Sequence, residues 1–600
     1  MSRNHAFATS VALVAALATA TATIPAAGFE VALVPSVPSG QPVGTTVDWS
    51  VTTTGATPDT TLVRFEVLRP DGTWQMVRDI IRDPTLRWMP QVEGDYVFRA
   101  IALDLSSNET GQATAGFQVG AIATSSARVV ATTHPLVALY SVPPCITGYV
   151  RVRYRLAVTG AAWQRTGWQR CGERSNGFLV GGMWPTAGYM MQHEHLDGAV
   201  VSRGVELGFG TGPVALESAL PAWGHTGANI YMSLEQPVVL TSLFGPSINT
   251  LVATDVLGAV VWYHESPGRG GDSQATLLRP VRGGTFLVID SDRAAQSQVL
   301  REIDLVGNTI RETNPVAINF KLAASGRDPI NSFHHDAVRL PDGRTAVLTY
   351  VERFLEDVQG PGLVPVVGDA ILVLDTNWDV VWTWSAFDHL DQSRKALGDS
   401  RCLADGSAGC LITIAPEGND WTHGNSLHYT PDDGNLVVSL RHQDWVVKVD
   451  YRDGAGSGAV VWRLGREGDF TFVSDDPWPE FSHQHDARLD GGLLSVFDNG
   501  NMRVQALGGG NSRGQVLAID EQAMTVEPVL NLDLGHFAPF VGSAQVLRNG
   551  NLHVNVGAID PGPGGYSQSV ELHPSGPGVF YNTWAALAGR SFRMRSLYEP

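Results

Sequence analysis

The stretch Asp420-Trp421-Thr422-His423-Gly424-Asn425-Ser426 runs toward a turn at Pro431-Asp432-Asp433-Gly434 and returns to Arg441-His442-Gln443. Turn residues between two β-prone runs read as a hairpin, and this one carries His423, Asn425 and Arg441 to the same end. The pattern recurs. Residues 337–340, a turn at Pro341-Asp342-Gly343 and residues 345–351 make a second copy; 487–498 and 544–556 make two more, and 277–290 a weaker one. Each hairpin is paired with another element: a strand ending in Asp, a turn, and a strand often closing in Val-Val-Trp. Asp255 leads to Val260-Val261-Trp262, Asp304 to Thr309-Ile310, Asp375 to Val380-Val381-Trp382, Asp450 to Val460-Val461-Trp462, and Asp520 to Val529-Leu530; a degenerate copy runs from Glu571-Leu572 to Val579-Phe580. Successive aspartates stand 49 residues apart at the closest (255 to 304) and 75 at the widest (375 to 450), which fits a four-stranded antiparallel unit with variable loops. Six such units closing on themselves leave no exposed sheet edge. The spacing therefore predicts an all-β chain with a six-bladed β-propeller over 221–600. The rival, a parallel β-helix, calls for shorter and more uniform repeats.

Upstream, short strands alternate with turns such as Asp71-Gly72 and Glu93-Gly94 across 28–120, the pattern of an immunoglobulin-like β-sandwich. A second small β domain is expected over 121–220, with Tyr149-Val150-Arg151-Val152-Arg153-Tyr154 its clearest strand. Its Trp184, Tyr189, Met190, Met191, His193 and His195 read either as an aromatic core or as a lip over the neighbouring domain. Residues 1–27 read as a secretory signal peptide: Arg3, an apolar run from Ala6 to Ala18, then small residues such as Ala20 and Ala22 for an A-x-A cleavage site. An uncleaved anchor is the alternative, although the run is weakly hydrophobic. The four cysteines fall into two local pairs, and export predicts the disulfides Cys145–Cys171 and Cys402–Cys410. Neither pair has the C-x-x-C spacing that favours zinc. The second lies just ahead of His423, placed to brace a loop over it. The expected location is outside the cytoplasm, periplasmic or secreted, with no membrane contact after cleavage. Six hundred residues at 43% hydrophobic and 17% charged fit a globular chain of several domains, and a formal net charge of −19 argues against a nucleic-acid partner.

The polar residues fall just before the first strand of each hairpin. In a propeller that strand lines the central channel, so His335, His423, Asn425, His485 and Ser543 should converge on one mouth, and Arg441 returns to it. Histidine near neutral pH serves as base, acid, nucleophile or metal ligand. Three histidines suit zinc, but an arginine beside them repels a divalent cation and attracts an anion. With Asn and Ser as neutral donors, the set reads as an oxyanion site with a nucleophilic or acid–base histidine, and phosphate or sulfate esters as ligands. It calls for no metal and no cofactor.

Trp421-Thr422-His423-Gly424-Asn425-Ser426 with Ser439-Leu440-Arg441-His442-Gln443, taken with His334-His335-Asp336-Ala337 and His483-Gln484-His485-Asp486-Ala487, resembles the bacterial arylsulfate sulfotransferases. The resemblance covers the propeller region, and the two N-terminal β domains are similar to extensions in one branch of that family. It implies PAPS-independent transfer of a sulfuryl group from a phenolic sulfate ester to a phenolic acceptor, ping-pong, through a sulfohistidine. Carried over by position, His485 corresponds to the nucleophile, and His335, His423, Asn425, Arg441 and Ser543 to stabilising groups. Ser543, with the neighbouring His334 and His483, is assigned to substrate binding. The choice of His485 over His483, and of His335 over His334, follows the shared His-Asp-Ala. Two departures stand out: Ser543 replaces the family's Thr, keeping the hydroxyl, and the family's short disulfide lies nearer the nucleophile than Cys402–Cys410 does. His428 and His442 read as surface or blade residues, Asp336 and Asp486 as orienting groups, and Asp498-Asn499-Gly500 as a turn. Two other readings stay open, a metal-dependent hydrolase or lyase on the same propeller and a non-catalytic binding propeller.

Overall fold

The computed structural model describes residues 28–216, 220–226, 230–245, 248–265, 273–292, 297–398, 400–404, 410 and 414–600. The expected signal peptide, 1–27, lies outside them. Strand makes up 54% of the chain and helix 6%, so the protein is all-β.

Six antiparallel sets of four strands carry the repeat. In chain order, the second comprises Ser273–Val281, Thr285–Asp292, Ser297–Ile303 and Thr309–Thr313. The third comprises Ser332–Arg339, Thr345–Glu356, Leu363–Leu374 and Val380–Ser385, and the fourth Gly424–Thr430, Asn435–Leu440, Trp445–Val449 and Val460–Gly465. The fifth comprises His485–Asp490, Leu493–Asp498, Arg513–Asp520 and Thr525–Asp533, and the sixth Ser543–Val546, Leu552–Ile559, Tyr566–Leu572 and Gly578–Trp584. Each is a local meander. The first sheet is not: Val238–Gly245, Ile248–Asp255 and Val260–Glu265 receive their fourth strand from Leu587–Met594, near the other end of the chain.

The repeated aspartate closes the last turn of the sheet. Asp255 Oδ1 accepts from the backbone N–H of Leu257 and Ala259, Asp304 Oδ1 from Val306 and Asn308, and Asp375 Oδ1 from Asn377 and Asp379. Such Asx bonds fold a turn within a few residues of sequence, which is why the signal was readable.

The first strands are stitched to one another by a repeated bond. Asp336 Oδ2 accepts from Leu427 N at 2.9 Å, Ser426 Oγ from Ala487 N at 3.0 Å, Asp486 Oδ2 from Ala544 N at 3.3 Å, and Ser543 Oγ from Ser591 N at 3.1 Å. These contacts run from the third sheet through to the first. Arg279 of the second sheet joins the series through Asp336. Apolar cores fill the spaces between consecutive sheets: Val446 and Trp462 against Leu494 and Val496, then Phe497 and Val516 against Leu552 and Val554. The polar stitching and the apolar wedges together fix the angle between neighbouring sheets.

Residues 28–120 form two facing sheets around Trp49, whose ring stacks on Phe98 at 4.2 Å. One edge of this unit meets the second sheet through a parallel pair, Arg78 with Glu312, reinforced by an Nε–Oε1 contact of 3.2 Å. A single apolar cluster runs from Trp49 through Tyr140 and Tyr154 to Trp262 and Phe592. The aromatic group of the next segment belongs to the core and its contacts: Tyr189 and Met191 are buried, Trp184 Nε1 donates to Asp255 Oδ2 at 2.6 Å, and His193 meets the Tyr140 hydroxyl at 3.1 Å. Both expected disulfides, Cys145–Cys171 and Cys402–Cys410, are formed, consistent with an exported protein. Among the described residues, no helix is long and apolar enough to cross a membrane.

Candidate functional site

Three first strands are irregular at equivalent points. Phe333 to Ala337 faces only Thr349 to Val347, Gly424 to Ser426 faces Leu440 to Ser439, and His485 to Arg488 faces Phe497 to Ser495. Each is a bulge, which re-aims side chains that regular pleating would alternate across the sheet. His335 (φ +50°) and Asp486 (φ +53°) within the bulges, and His423 (φ +49°) and His483 (φ +51°) just ahead of them, take left-handed backbone, at a cost of about 1–3 kcal/mol each. The strain recurs at the same end of three sheets on His335, His423, His483 and Asp486, and Val541 (φ +53°), two residues before Ser543, shares it in the sixth.

The bulges bring the histidines together. The His335 ring lies 4.9 Å edge-on from His423, which lies 4.5 Å from His442, which lies 6.0 Å from His483. His423 Nδ1 bonds Asp420 Oδ2 at 2.6 Å. His442 Nδ1 donates to the Asp420 carbonyl at 2.8 Å, leaving its Nε2 to accept from Arg441 Nη1 at 2.5 Å. His442 was expected on the surface or in a blade; it is 2% exposed and bridges Asp420 to Arg441. Arg441 sits in a short 3-10 turn just past its strand rather than at the strand's end. Its Nη2 donates to the Pro539 carbonyl, and its Nε is buried without a partner among the described residues. A buried charged donor with nothing to bind is suited to an anion.

His485 is the most tightly specified of the set. Asn499 Nδ2 donates to the carbonyls of Ala538 (2.7 Å) and Val541 (3.0 Å), which turns Asn499 Oδ1 onto His485 Nδ1 at 2.6 Å. An amide oxygen only accepts, so Nδ1 carries the proton and Nε2 the lone pair. Among the described residues, Nε2 makes no hydrogen bond. Asn499 read from the sequence as part of a turn; it lies just past the strand Leu493–Asp498, and its side chain fixes the tautomer.

Burial, then the Arg441 guanidinium, holds the His485 imidazole well below its usual pKa. Burial and the neighbouring histidines do the same for His335, although the residue as a whole keeps some exposure to solvent. Burial likewise depresses His442. Burial alone would raise the Asp420 carboxyl, but His423, His442 and Arg441 hold it below the normal carboxylate range. His134 and His264 are also lowered, each to about 4, by burial. A histidine depressed in the fold takes its proton more readily when unfolded, so stability is present above the unfolded pKa and declines as pH falls below it. Each such group adds a slope of about 1.4 kcal/mol per pH unit. Urea unfolding at pH 7.5, 6.0 and 5.0 is expected to show stability decreasing steadily below pH 6.5.

The other expected residues divide. Asn425 is fully buried: Nδ2 donates to the Gln484 carbonyl at 2.6 Å, leaving one amide hydrogen and a partnerless Oδ1. The Ser543 hydroxyl donates to the Ser591 carbonyl at 3.0 Å and accepts from its N–H, so it has no donor left for a ligand. His334 stacks on Tyr350 at 3.7 Å, with Nδ1 3.0 Å from His335 Nδ1 and Nε2 2.9 Å from Asp369 Oδ1, off the line of a hydrogen bond. His483 is tied to Asp444 through its backbone N–H at 2.7 Å. Cys402 and Cys410 pack with Tyr350 in one small cluster, so that disulfide supports the His334 stack; residues 405–409 and 411–413 are outside the described set.

Beneath the histidines, Asp336 and Asp486, read from the sequence as orienting groups, belong to a layer of arginines that local reading did not reveal. Arg590 Nη1 pairs with Asp336 Oδ2 at 2.8 Å and its Nη2 bonds the Asn425 carbonyl. Arg279 grips the same carboxylate, and Arg488 Nε bonds Asp486 at 3.1 Å. Burial would raise Asp336, but Arg279 and Arg590 bring it down to about 2. Asp420, His423 and His442 present ligand atoms within 4.8 Å of one another. However, Arg441 lies against His442 Nε2, and a guanidinium there opposes a divalent cation.

Fold and geometry describe an all-β protein in which histidines gather beside an arginine. The chain belongs to the arylsulfotransferase (ASST) family, whose model matches residues 231–579, more than half its length. No curated protein matches it. Among solved structures, a two-domain fibronectin type-III segment of chicken tenascin is similar at 15% identity and TM-score 0.14, covering 30% of this chain and 98% of that one. The chicken interferon gamma receptor alpha chain is similar at 12% identity and TM-score 0.13, with the same coverages. Likeness at that level carries no argument.

Proposed function

We propose that the six sheets are blades of a closed six-bladed β-propeller, preceded by β domains over 28–120 and 121–220 behind a cleaved signal at 1–27. The protein then acts outside the cytoplasm, as an aryl-sulfate sulfotransferase independent of PAPS. The observation that carries this reading is the His485 tautomer: a neutral imidazole with an unengaged Nε2, held by Asn499 beside Arg441 and His423.

In the first half-reaction, the His485 Nε2 lone pair attacks sulfur of the aryl sulfate; the S–O bond to the ring breaks and phenolate leaves with its electron pair. Charge on the sulfuryl oxygens is met by Arg441, whose Nε is free, and by Asn425. His423, bonded to the Asp420 carboxylate, protonates the leaving oxygen. In the second half-reaction, a phenol oxygen attacks the sulfohistidine sulfur, the N–S bond breaks, and the phenol proton passes to the same histidine.

Two substrates alternating on one nucleophile give ping-pong kinetics. With a chromogenic aryl sulfate, an added phenol is expected to accelerate release, initial rates at several phenol concentrations should give parallel double-reciprocal lines, and EDTA should have no effect. Release into water unaffected by phenol would indicate a sulfatase; loss of activity in EDTA would indicate a metal enzyme.

A further inference from the structure

Two of the strands that carry the histidines, Ser332–Arg339 and His485–Asp490, run to a cavity. Arg339 closes the strand Ser332–Arg339, four residues beyond His335 and so about 13 Å along it. There a cavity of 580 Å³ is lined by Arg279, Arg282, Arg339, Arg488 and Arg593, with Leu340 and Phe592 among its apolar walls and, among the described residues, no acidic side chain in the lining. The Arg279–Asp336–Arg590 layer separates it from the histidines.

Its charges do not balance. Asp336 serves Arg279 and Arg590, Glu302 serves Arg339 and Arg311, Asp486 serves Arg488, and Glu571 serves Arg593. Arg282 is exposed and makes no ion pair among the described residues. Among the described residues, seven guanidiniums in and behind the cavity wall thus share four carboxylates, in a chain of formal net charge −19; a carboxylate at Pro600 would still leave the excess positive. Arg339 Nε is buried without a hydrogen-bond partner. The Phe592 ring stands 5.2 Å from Arg279 and 4.9 Å from Arg488, so cations line an aromatic face. Concentrated, under-compensated arginine is poised for carboxylate, sulfate or phosphate, and the apolar wall suits a hydrophobic body.

We propose that this cavity is a second ligand site, separate from the histidine pit, for a small amphipathic organic anion: one carboxylate, sulfate or phosphate on an aromatic or aliphatic body. Para-bromobenzoate, which has no sulfuryl group to transfer, is the probe. In crystals of the full chain soaked with it, the bromine anomalous peak is expected beside Phe592, with the carboxylate on Arg282, Arg339 or Arg488. By calorimetry, Arg282→Glu should weaken this binding about tenfold or more and leave aryl sulfate turnover unchanged. A bromine peak only at the histidines, or equal affinity in wild type and Arg282→Glu, would overturn the proposal, whatever the outcome for sulfuryl transfer.

Discussion

His485→Ala is expected to lower aryl sulfate turnover by roughly 10⁴-fold or more, the scale on which removal of a covalent nucleophile acts, while the far-ultraviolet circular dichroism stays unchanged. The substitution leaves Asn499 Oδ1 without its donor, at about 1–3 kcal/mol, a loss that a chain with many interlocked sheets absorbs. His485→Gln, which retains the volume, should be equally inactive. The two variants together separate a missing nucleophile from a disturbed fold. The decisive readout needs no acceptor: after donor alone, peptide mass spectrometry should find one added sulfuryl group on the His485 peptide, and none in either variant. Full turnover in a folded variant, or a sulfuryl group on the His335 or His423 peptide instead, would remove His485 from the proposed mechanism.

What was legible in the sequence follows the range of each interaction. The repeated aspartates are visible because their Asx bonds close within four residues, as Asp255 does with Leu257 and Ala259. The hairpin glycines are visible for the same reason. The strand Leu587–Met594 carries no such mark: its register is set by Val238–Gly245, some 350 residues away. The histidines showed by type and spacing, but what distinguishes them is the bulges. A bulge depends on register against the partner strand, which no local pattern shows; His442, read as a surface or blade residue, is buried because the turn Arg441–Gln443 folds back onto Asp420. Ser543 was noticed for a hydroxyl at the right place. That hydroxyl belongs to the same stitching series as Asp336, Ser426 and Asp486, a long-range pattern hidden from local reading. Arg590 lacked even a suggestive neighbour.

Asn499 is the residue on which the proposed chemistry turns most sharply after the nucleophile itself. If Nε2 of His485 is to attack, Nδ1 must hold the proton, and only the Asn499 Oδ1 contact at 2.6 Å enforces this. Asn499→Ala removes the acceptor. Both tautomers then become populated, and the ring can rotate in its pocket. Loss of the tautomer-orienting partner in a comparable histidine system costs about 10⁴-fold in rate with the geometry otherwise intact, so a fall of roughly 10³-fold in the first half-reaction is expected here. A structural role alone predicts something different. The Ala538 and Val541 carbonyls lose their donor, which lowers the melting temperature by a few degrees, about 1–2 kcal/mol, without touching kcat selectively. The two accounts separate on three measurements. Single-turnover release from saturating donor should drop while the donor KM changes little. With histidine ¹⁵N-labelled, the His485 ring should report a bare Nε2 in the wild type and mixed tautomers in Asn499→Ala. Asn499→Gln, whose longer amide still offers an oxygen, should recover part of the rate. A variant that melts early yet keeps its rate and its Nε2 signal would reduce Asn499 to packing, and with it the reason for preferring His485 over its neighbours.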